Sequence, residues 1–338
     1  MRIVIDARGK ARPELGRVSG VAQYVSHITE ALLALEPTSF TVLDDDRSSL
    51  PVVGRHLLFA RRVDALKADL FFSPTGLLPL GLKTPAVAFI HDLFILDHPE
   101  WFPDSWWQRF FTLKIVLPMT VKKAKWLIVP SESVKQDVIR WFPFAAEKVS
   151  VIAEGVAAPT SIAPGRPGRY ILSIATIDPR KNLLTAVRAF ARSEFDGEFV
   201  IVGSGGWKNS TEVQEIQKTK RVVLLQNVTE AEKWSLYAGA ELYLQTSLAE
   251  GFGLPPFEAM ALGTPVVSTL VGALPELALN AVAVIPADDP EMIGKTLQEL
   301  LEDERKRQDL GAWGKKAVEG LTWQAAAQKT LEVFTRFC

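Results

Sequence analysis

The chain of 338 residues contains one cysteine, Cys338. That excludes an internal disulfide and a thiolate metal cluster. Long apolar runs are also missing. No segment reaches the roughly 20 residues that a spanning helix needs. The N-terminal stretch MRIVIDARGK lacks the apolar core of a secretory signal. The expected location is therefore cytoplasmic, or peripheral at the inner face of a membrane. An excess of charge is missing too: the formal net charge is −1. Without a strongly basic face there is no reason to expect nucleic acid as a partner. What is present is globular: 48% hydrophobic and 23% charged residues, in a chain long enough for two cores.

Two series of alternating strands and helices are legible. In the first half, strands are expected at Arg2–Asp6, Phe40–Leu43, Leu70–Ser73, Ala86–Ile90, Trp126–Val129 and Val149–Ile152. Helices are expected at Gly20–Leu35, capped by Ser19, and at Ser105–Lys123 and Glu132–Phe142. In the second half, strands are expected at Tyr170–Ala175, Phe199–Val202, Val222–Leu225, Glu241–Thr246, Pro265–Ser268 and Val282–Ile285. Helices are expected near Lys181–Arg192, Glu230–Ala238, Pro256–Leu262, Ala273–Leu277, Glu291–Leu301 and Thr322–Phe337. The segment 158–169, rich in Pro and Gly, reads as a linker. The expected fold class is α/β, with two Rossmann-like doubly wound domains, 1–157 and 170–321. A last helix, 322–338, carries an apolar stripe that allows it to pack back on the first domain. Ligands of such domains bind in a cleft, at the carboxyl ends of the strands.

The richest stretch is Gln245–Ala261, QTSLAEGFGLPPFEAMA. A strand runs through Glu250 and Gly251-Phe252-Gly253 into a helix that carries Glu258. The glycines permit close backbone approach and leave N–H groups free. Prolines suit the first helical turn, and a helix N-terminus holds anions. Glu258 either caps the helix or accepts bonds from a ligand's hydroxyls. Arg180 and Lys181, in TIDPRKN, follow a strand, where they neutralise a diphosphate or begin a helix as a solvated pair. Two cations at a helix start oppose its dipole, which favours an anion between them. Gly203-Ser204-Gly205-Gly206 also follows a strand. Lys208 occupies the position of the third glycine of a dinucleotide fingerprint, which argues against a nicotinamide cofactor. His91-Asp92 ends a strand at its carboxyl end. Asp44-Asp45-Asp46 offers oxygen ligands for Mg or Mn, or a solvated acidic turn. The segment 101–126 mixes Trp101, Phe102, Trp106, Trp107, Phe110, Phe111 and Trp126 with Arg109, Lys114, Lys122, Lys123 and Lys125. It fits either a membrane interface or a packed helix with a basic face.

The stretch EGFGLPPFEAM followed by ALGTPVV resembles the Glu-x7-Glu donor motif of glycosyltransferase family 4, retaining enzymes of the GT-B fold. The resemblance implies a nucleotide-diphosphate sugar as donor and no metal or other cofactor. It implies that Glu250 and His91 contact the donor sugar, with Asp92 beside them, and that Glu258 holds the ribose. Arg180 and Lys181 would stabilise the leaving diphosphate. The amides of Gly251, Phe252, Gly253 and Leu254 would hold sugar and diphosphate, and those of Gly20 and Val21 the diphosphate from the other domain. Gly203, Asn227 and Val228 would lie by the base. The chain departs from the family at Ala22, Gln23, Ala175 and Gln226, where Gly or Arg is common. HDL…HPEWFP early in the chain resembles bacterial mannosyltransferases of surface-polysaccharide assembly. That implies GDP-mannose as donor and a glycan or lipid-linked acceptor. Two rivals stay open: a sugar-nucleotide epimerase of the same fold, and a relative that binds without turnover.

Overall fold

Continuous apolar strands need cover on both faces, and short β-branched or aromatic runs here supply two parallel sheets. The computed structural model describes residues 1–11, 19–44, 52–102, 111–163, 165–203 and 210–337. The first sheet joins β1 (Ile3–Asp6), β2 (Phe40–Leu43), β3 (Leu70–Ser73), β4 (Ala86–Phe89), β5 (Trp126–Val129) and β6 (Val149–Val151). Their spatial order is β2-β1-β3-β4-β5-β6. The second joins β7 (Tyr170–Ile174), β8 (Glu198–Val202), β9 (Val222–Leu225), β10 (Leu242–Gln245), β11 (Val266–Ser268) and β12 (Val282–Val284). Read from β9, its order is β9-β8-β7-β10-β11-β12. That is the doubly wound order in which chain direction across the sheet reverses between β7 and β10. Every strand pair described is parallel.

The chain divides into two compact units. One comprises Met1–Leu96, Asp104–Gly155 and Leu321–Cys338, and the other Asp97–Pro103 and Val156–Gly320. The stretch 158–169, expected to be a linker, thus falls within the second unit. Its contacts explain this: Ser235 Oγ donates to Ala163 O at 3.0 Å, and Arg166 pairs with Glu198 at 2.6 Å. The last helix, Trp323–Thr335, is capped by Thr322, whose hydroxyl accepts from Ala325 N at 3.1 Å. It belongs to the first unit, where Trp323, Ala327, Leu331 and Phe334 share a core with Ile3, Ile5, Tyr24 and Phe72. Gly155 lies against it. A Cβ there would stand 2.3 Å from Trp323 N, so only glycine fits.

Among the described residues, four α-helices were not expected: Val52–Ala65, the short Phe94–Asp97, Ser210–Lys218 and Glu304–Val318. The helix expected over Ser105–Lys123 is described only from 111. It passes through a wide turn, Thr112–Val116, before the regular Leu117–Lys123. Pro118 has no N–H to give the preceding turn, and a local widening accommodates that. The helix expected from Lys181 begins instead at Leu183, after Asn182 in the left-handed region at φ 52°. A separate 3-10 turn, Pro179–Lys181, holds the two cations.

Candidate donor-substrate site

The carboxyl ends of β7 and β10 are neighbours at the reversal point of the second sheet, and both carry charged residues into the same place. After β7, Asp178 caps the Pro179–Lys181 turn by accepting from Arg180 N at 3.0 Å. Asn182 then pins the turn to its surroundings. Its amide donates to Ala287 O at 2.7 Å and to Thr246 O at 3.2 Å, and its own oxygen accepts from Thr185 at 2.7 Å. A left-handed residue with a short polar side chain suits such a role. After β10, Glu250 arrives from the other side.

Glu250 and the two cations form one cluster. Lys181 Nζ donates to Glu250 Oε1 at 2.5 Å, and Arg180 Nη1 donates to Oε2 at 2.7 Å. Ser247 Oγ donates to Oε1 at 2.7 Å. Arg180 also reaches Ala249 O at 3.0 Å. Glu250 is 6% exposed. Burial pushes its carboxyl up, but the charges of Lys181 and Arg180 and the hydrogen bonds outweigh it and hold the group at about 2. Asp178 is shifted the other way: burial raises it more than Arg180 and Lys181 lower it. The cations therefore do not begin a helix, and Glu250 together with Asp178, 3.9 Å from Arg180, already meets their charge. No α-helix dipole opposes them, because the helix begins only at Leu183.

Gly253 opens the helix Leu254–Leu262 in the left-handed region, at φ 88°. Among the described residues, the amides of Phe252, Gly253 and Leu254 donate to no protein acceptor. Pro255 and Pro256 have no amide to offer, so this helix start presents few but unclaimed donors. Gly272 supports the loop from behind. A Cβ there would meet Phe252 O at 2.3 Å.

Glu258 lies in the second turn and does not cap the helix. Its Oε1 accepts from Lys233 Nζ at 2.8 Å, and its Oε2 from Tyr237 OH at 2.8 Å. Both partners come from the helix Glu230–Gly239, whose start is fixed by a capping box between Thr229 and Glu232. Lys233 also pairs with Glu230 at 2.7 Å. No feature of the sequence flagged Lys233, because a lysine in a polar-looking helix reads as solvated.

The other residues singled out are scattered over both units. Gly203 follows β8, and a Cβ on it would lie 2.3 Å from Ala175 O, so its smallness serves sheet packing. Ser204, Gly205, Gly206 and Lys208 lie outside the described residues. Asn227 is exposed at φ 56°, in the turn before the capping box, with Val228 half-buried. In the first unit, Ser19 caps the helix Gly20–Leu35, leaving Gly20 and Val21 exposed in its first turn. A Cβ on Gly20 would meet nothing within 4 Å, so packing does not require that glycine. His91 Nε2 lies 2.8 Å from Pro74 O. Burial brings the imidazole down to about 4, against the opposing effect of that bond. It is therefore neutral near pH 7, with Nε2 as donor and Nδ1 left as acceptor. Asp92 accepts from Phe94 N at 3.4 Å, at the start of the short helix Phe94–Asp97.

Asp44 follows β2, while Asp45 and Asp46 lie outside the described residues. Among the described residues no group of His, Cys, Asp or Glu is placed to hold a metal. No described helix is long and apolar enough to cross a membrane. In the segment 101–126, Trp106, Trp107, Arg109 and Phe110 lie outside the described residues. Trp126 is engaged in packing: its Nε1 donates to Ser150 at 2.8 Å and its ring leans on Phe337. The exposed large apolar side chain of that segment, among the described residues, is Ile115.

Residues 162–317 match the family description Glycosyl transferases group 1, and residues 42–158 match Glycosyltransferase Family 4. The chain is 26% identical over 313 residues to O-antigen chain mannosyltransferase B of Escherichia coli, covering 85% of this chain and 81% of that one. It is 31% identical over 282 residues to the MMP alpha-(1->4)-mannosyltransferase of Mycolicibacterium hassiacum, covering 78% and 68% respectively. Its fold is similar to that of sucrose-phosphate synthase from Thermosynechococcus elongatus, with a TM-score of 0.76, 20% identity and 99% of each chain covered.

Proposed function

Because the chain belongs to glycosyltransferase family 4, with the GT-B fold, we propose that it moves a mannosyl group from GDP-mannose to a hydroxyl of a glycan or lipid-linked acceptor, with retention. The observation that carries this reading is the cluster of Arg180, Lys181 and Glu250 at the reversal point of the second sheet. The relatives named mannosyltransferases favour mannose, and the O-antigen enzyme among them favours surface-polysaccharide synthesis.

In the proposed reaction the acceptor oxygen forms a bond to the anomeric carbon on the face that the diphosphate leaves. The bond from that carbon to the phosphate oxygen breaks, and the departing oxygen takes the acceptor's proton. Arg180 offers a planar fork and Lys181 a compact charge to the negative charge that grows on the diphosphate. Glu250 holds both cations in place and turns toward the sugar hydroxyls as the diphosphate takes over part of their pairing. The free amides of Phe252, Gly253 and Leu254 supply further donors. No metal enters this scheme.

A melting-temperature panel of GDP, UDP, dTDP and ADP, with Mg and with EDTA, tests the donor site on wild type and Glu258→Gln. A diphosphate at 100 times its dissociation constant adds about 2.7 kcal/mol of stability. GDP is expected to stabilise equally under both conditions, and the variant to lose most of the response. No response from any diphosphate at millimolar concentration would remove the proposal. Product analysis with GDP-mannose separates the rivals: a new glycoside supports transfer, an isomerised donor an epimerase, and neither a binding-only relative. Peripheral contact through 101–126 belongs to the same proposal, with Lys114, Ile115, Lys122, Lys123 and Lys125 as exposed groups among the described residues. Flotation with vesicles rich in anionic lipid should recover the protein, and neutral vesicles should not. Equal recovery from both would sink that part.

A further inference from the structure

We propose that Lys233 is a positioning residue: with Tyr237 it aims the remaining lone pairs of Glu258 at a vicinal diol, so that the protein reads the ribose of its nucleotide. The inference rests on the reading that Glu258 faces the nucleotide. A carboxylate has about four acceptor positions on its two oxygens. Lys233 occupies one on Oε1 and Tyr237 one on Oε2. One position is left on each oxygen, and two neighbouring hydroxyls match that pair. The same two bonds stop the carboxylate from turning, so its free positions are set before a ligand arrives.

Stability alone does not account for this arrangement. Lys233 is 9% exposed and Glu258 8%. Replacing a buried ion pair with apolar side chains is often neutral or stabilising, because both charges lose their hydration. A leucine or methionine at 233 would fill the helix contact without that cost. The ammonium is held charged all the same: burial lowers its pKa, but Glu258 and Glu230 raise it further. It also lies 5.0 Å from the centre of the Trp234 ring. The network continues to the site. The Tyr237 ring contacts Tyr243 of β10, whose hydroxyl donates to Ile174 O, at the carboxyl end of β7. Lys233 is thus tied through Glu258 to the strand ends that carry Arg180 and Glu250.

The test compares calorimetric binding of GDP with 2′-deoxy-GDP, and UDP with 2′-deoxy-UDP in parallel, on wild type, Lys233→Met and Tyr237→Phe. A hydrogen bond from a hydroxyl to a charged group makes the deoxy ligand at least about tenfold weaker for wild type. In Lys233→Met the ratio should collapse to about twofold. Tyr237→Phe, which removes one oxygen and keeps the ring, should give an intermediate ratio, and serves alone if the lysine variant does not fold. A lysine that only supports the helix contact would weaken both ligands alike. Folded variants with an undiminished ratio would therefore overturn the proposal. A wild-type ratio near one would overturn the ribose reading of Glu258 itself, and this inference with it.

Discussion

Replacing Glu250 with glutamine should sharply slow transfer while strengthening diphosphate binding. The carboxylate pairs with both Arg180 and Lys181. Without it, Asp178, 3.9 Å from Arg180, offsets only part of the two positive charges, and the diphosphate binds more tightly at low salt. Transfer should nevertheless fall about 100-fold or more, the usual effect of removing one preorganised polar group at the reacting centre. Stability should fall too. Folding holds this carboxyl at about 2 against an ordinary 4.5, a difference worth about 3 kcal/mol. Because the folded value is depressed, that stability is fully present above about pH 4.5 and is lost as pH falls through 2. Wild type and Glu250→Gln should therefore differ most in denaturant midpoint at neutral pH and converge in acid. A variant that keeps both transfer and stability would reduce Glu250 to a bystander.

Glutamine at position 154 should stabilise the first unit in alkali and do little in acid. Glu154 follows β6 and is 6% exposed. Among the described residues it has no ion-pair or hydrogen-bond partner. Burial pushes its carboxyl up to about 8, and its nearness raises the Tyr24 phenol further. The sign is opposite to that of Glu250. The folded value is raised, so stability is full below the unfolded value of 4.5 and is lost as pH rises through 8. The full shift corresponds to about 5 kcal/mol. Two units need not unfold together, so amide exchange in β1, β3 and β4 is the appropriate measure. Protection in wild type should decline between pH 5 and 8.5, once corrected for the intrinsic exchange rate, and Glu154→Gln should flatten that decline. Parallel pH profiles would mean that the carboxyl is already ionised when folded.

The sheets were legible because their strands are short apolar runs with turn residues between them. The Glu-x7-Glu stretch was legible because glycine and proline at fixed offsets announce a turn into a helix. Side-chain partnerships were not. Lys181 looked like the start of a helix, since nothing in PRKN reveals that Asn182 adopts a left-handed conformation. That Glu250 rather than solvent meets Arg180 and Lys181 depends on two strands about 70 positions apart becoming neighbours. Lys233 was hidden for the same reason: its partner, Glu258, stands on another helix. The stretch 158–169 looked like a linker because Pro and Gly dominate it, yet the bonds of Ala163 and Arg166 fix it to the second unit. The helix Glu304–Val318 was missed because its charged face outweighs its buried Leu310 and Val318.

The helix Trp323–Thr335 has a consequence for synthesis. Phe334 and Trp323 complete a core whose other members include Ile3, Ile5 and Phe72. The first unit to emerge from the ribosome is therefore the last to be finished, while the second is nearly one unbroken stretch of chain. Trp323 follows the end of β6 at Val151 by about 170 positions of elongation, and over that span the nascent first sheet lacks the cover of that helix. A vectorially made chain must shield that apolar face in the meantime, by transient collapse or with a chaperone's help.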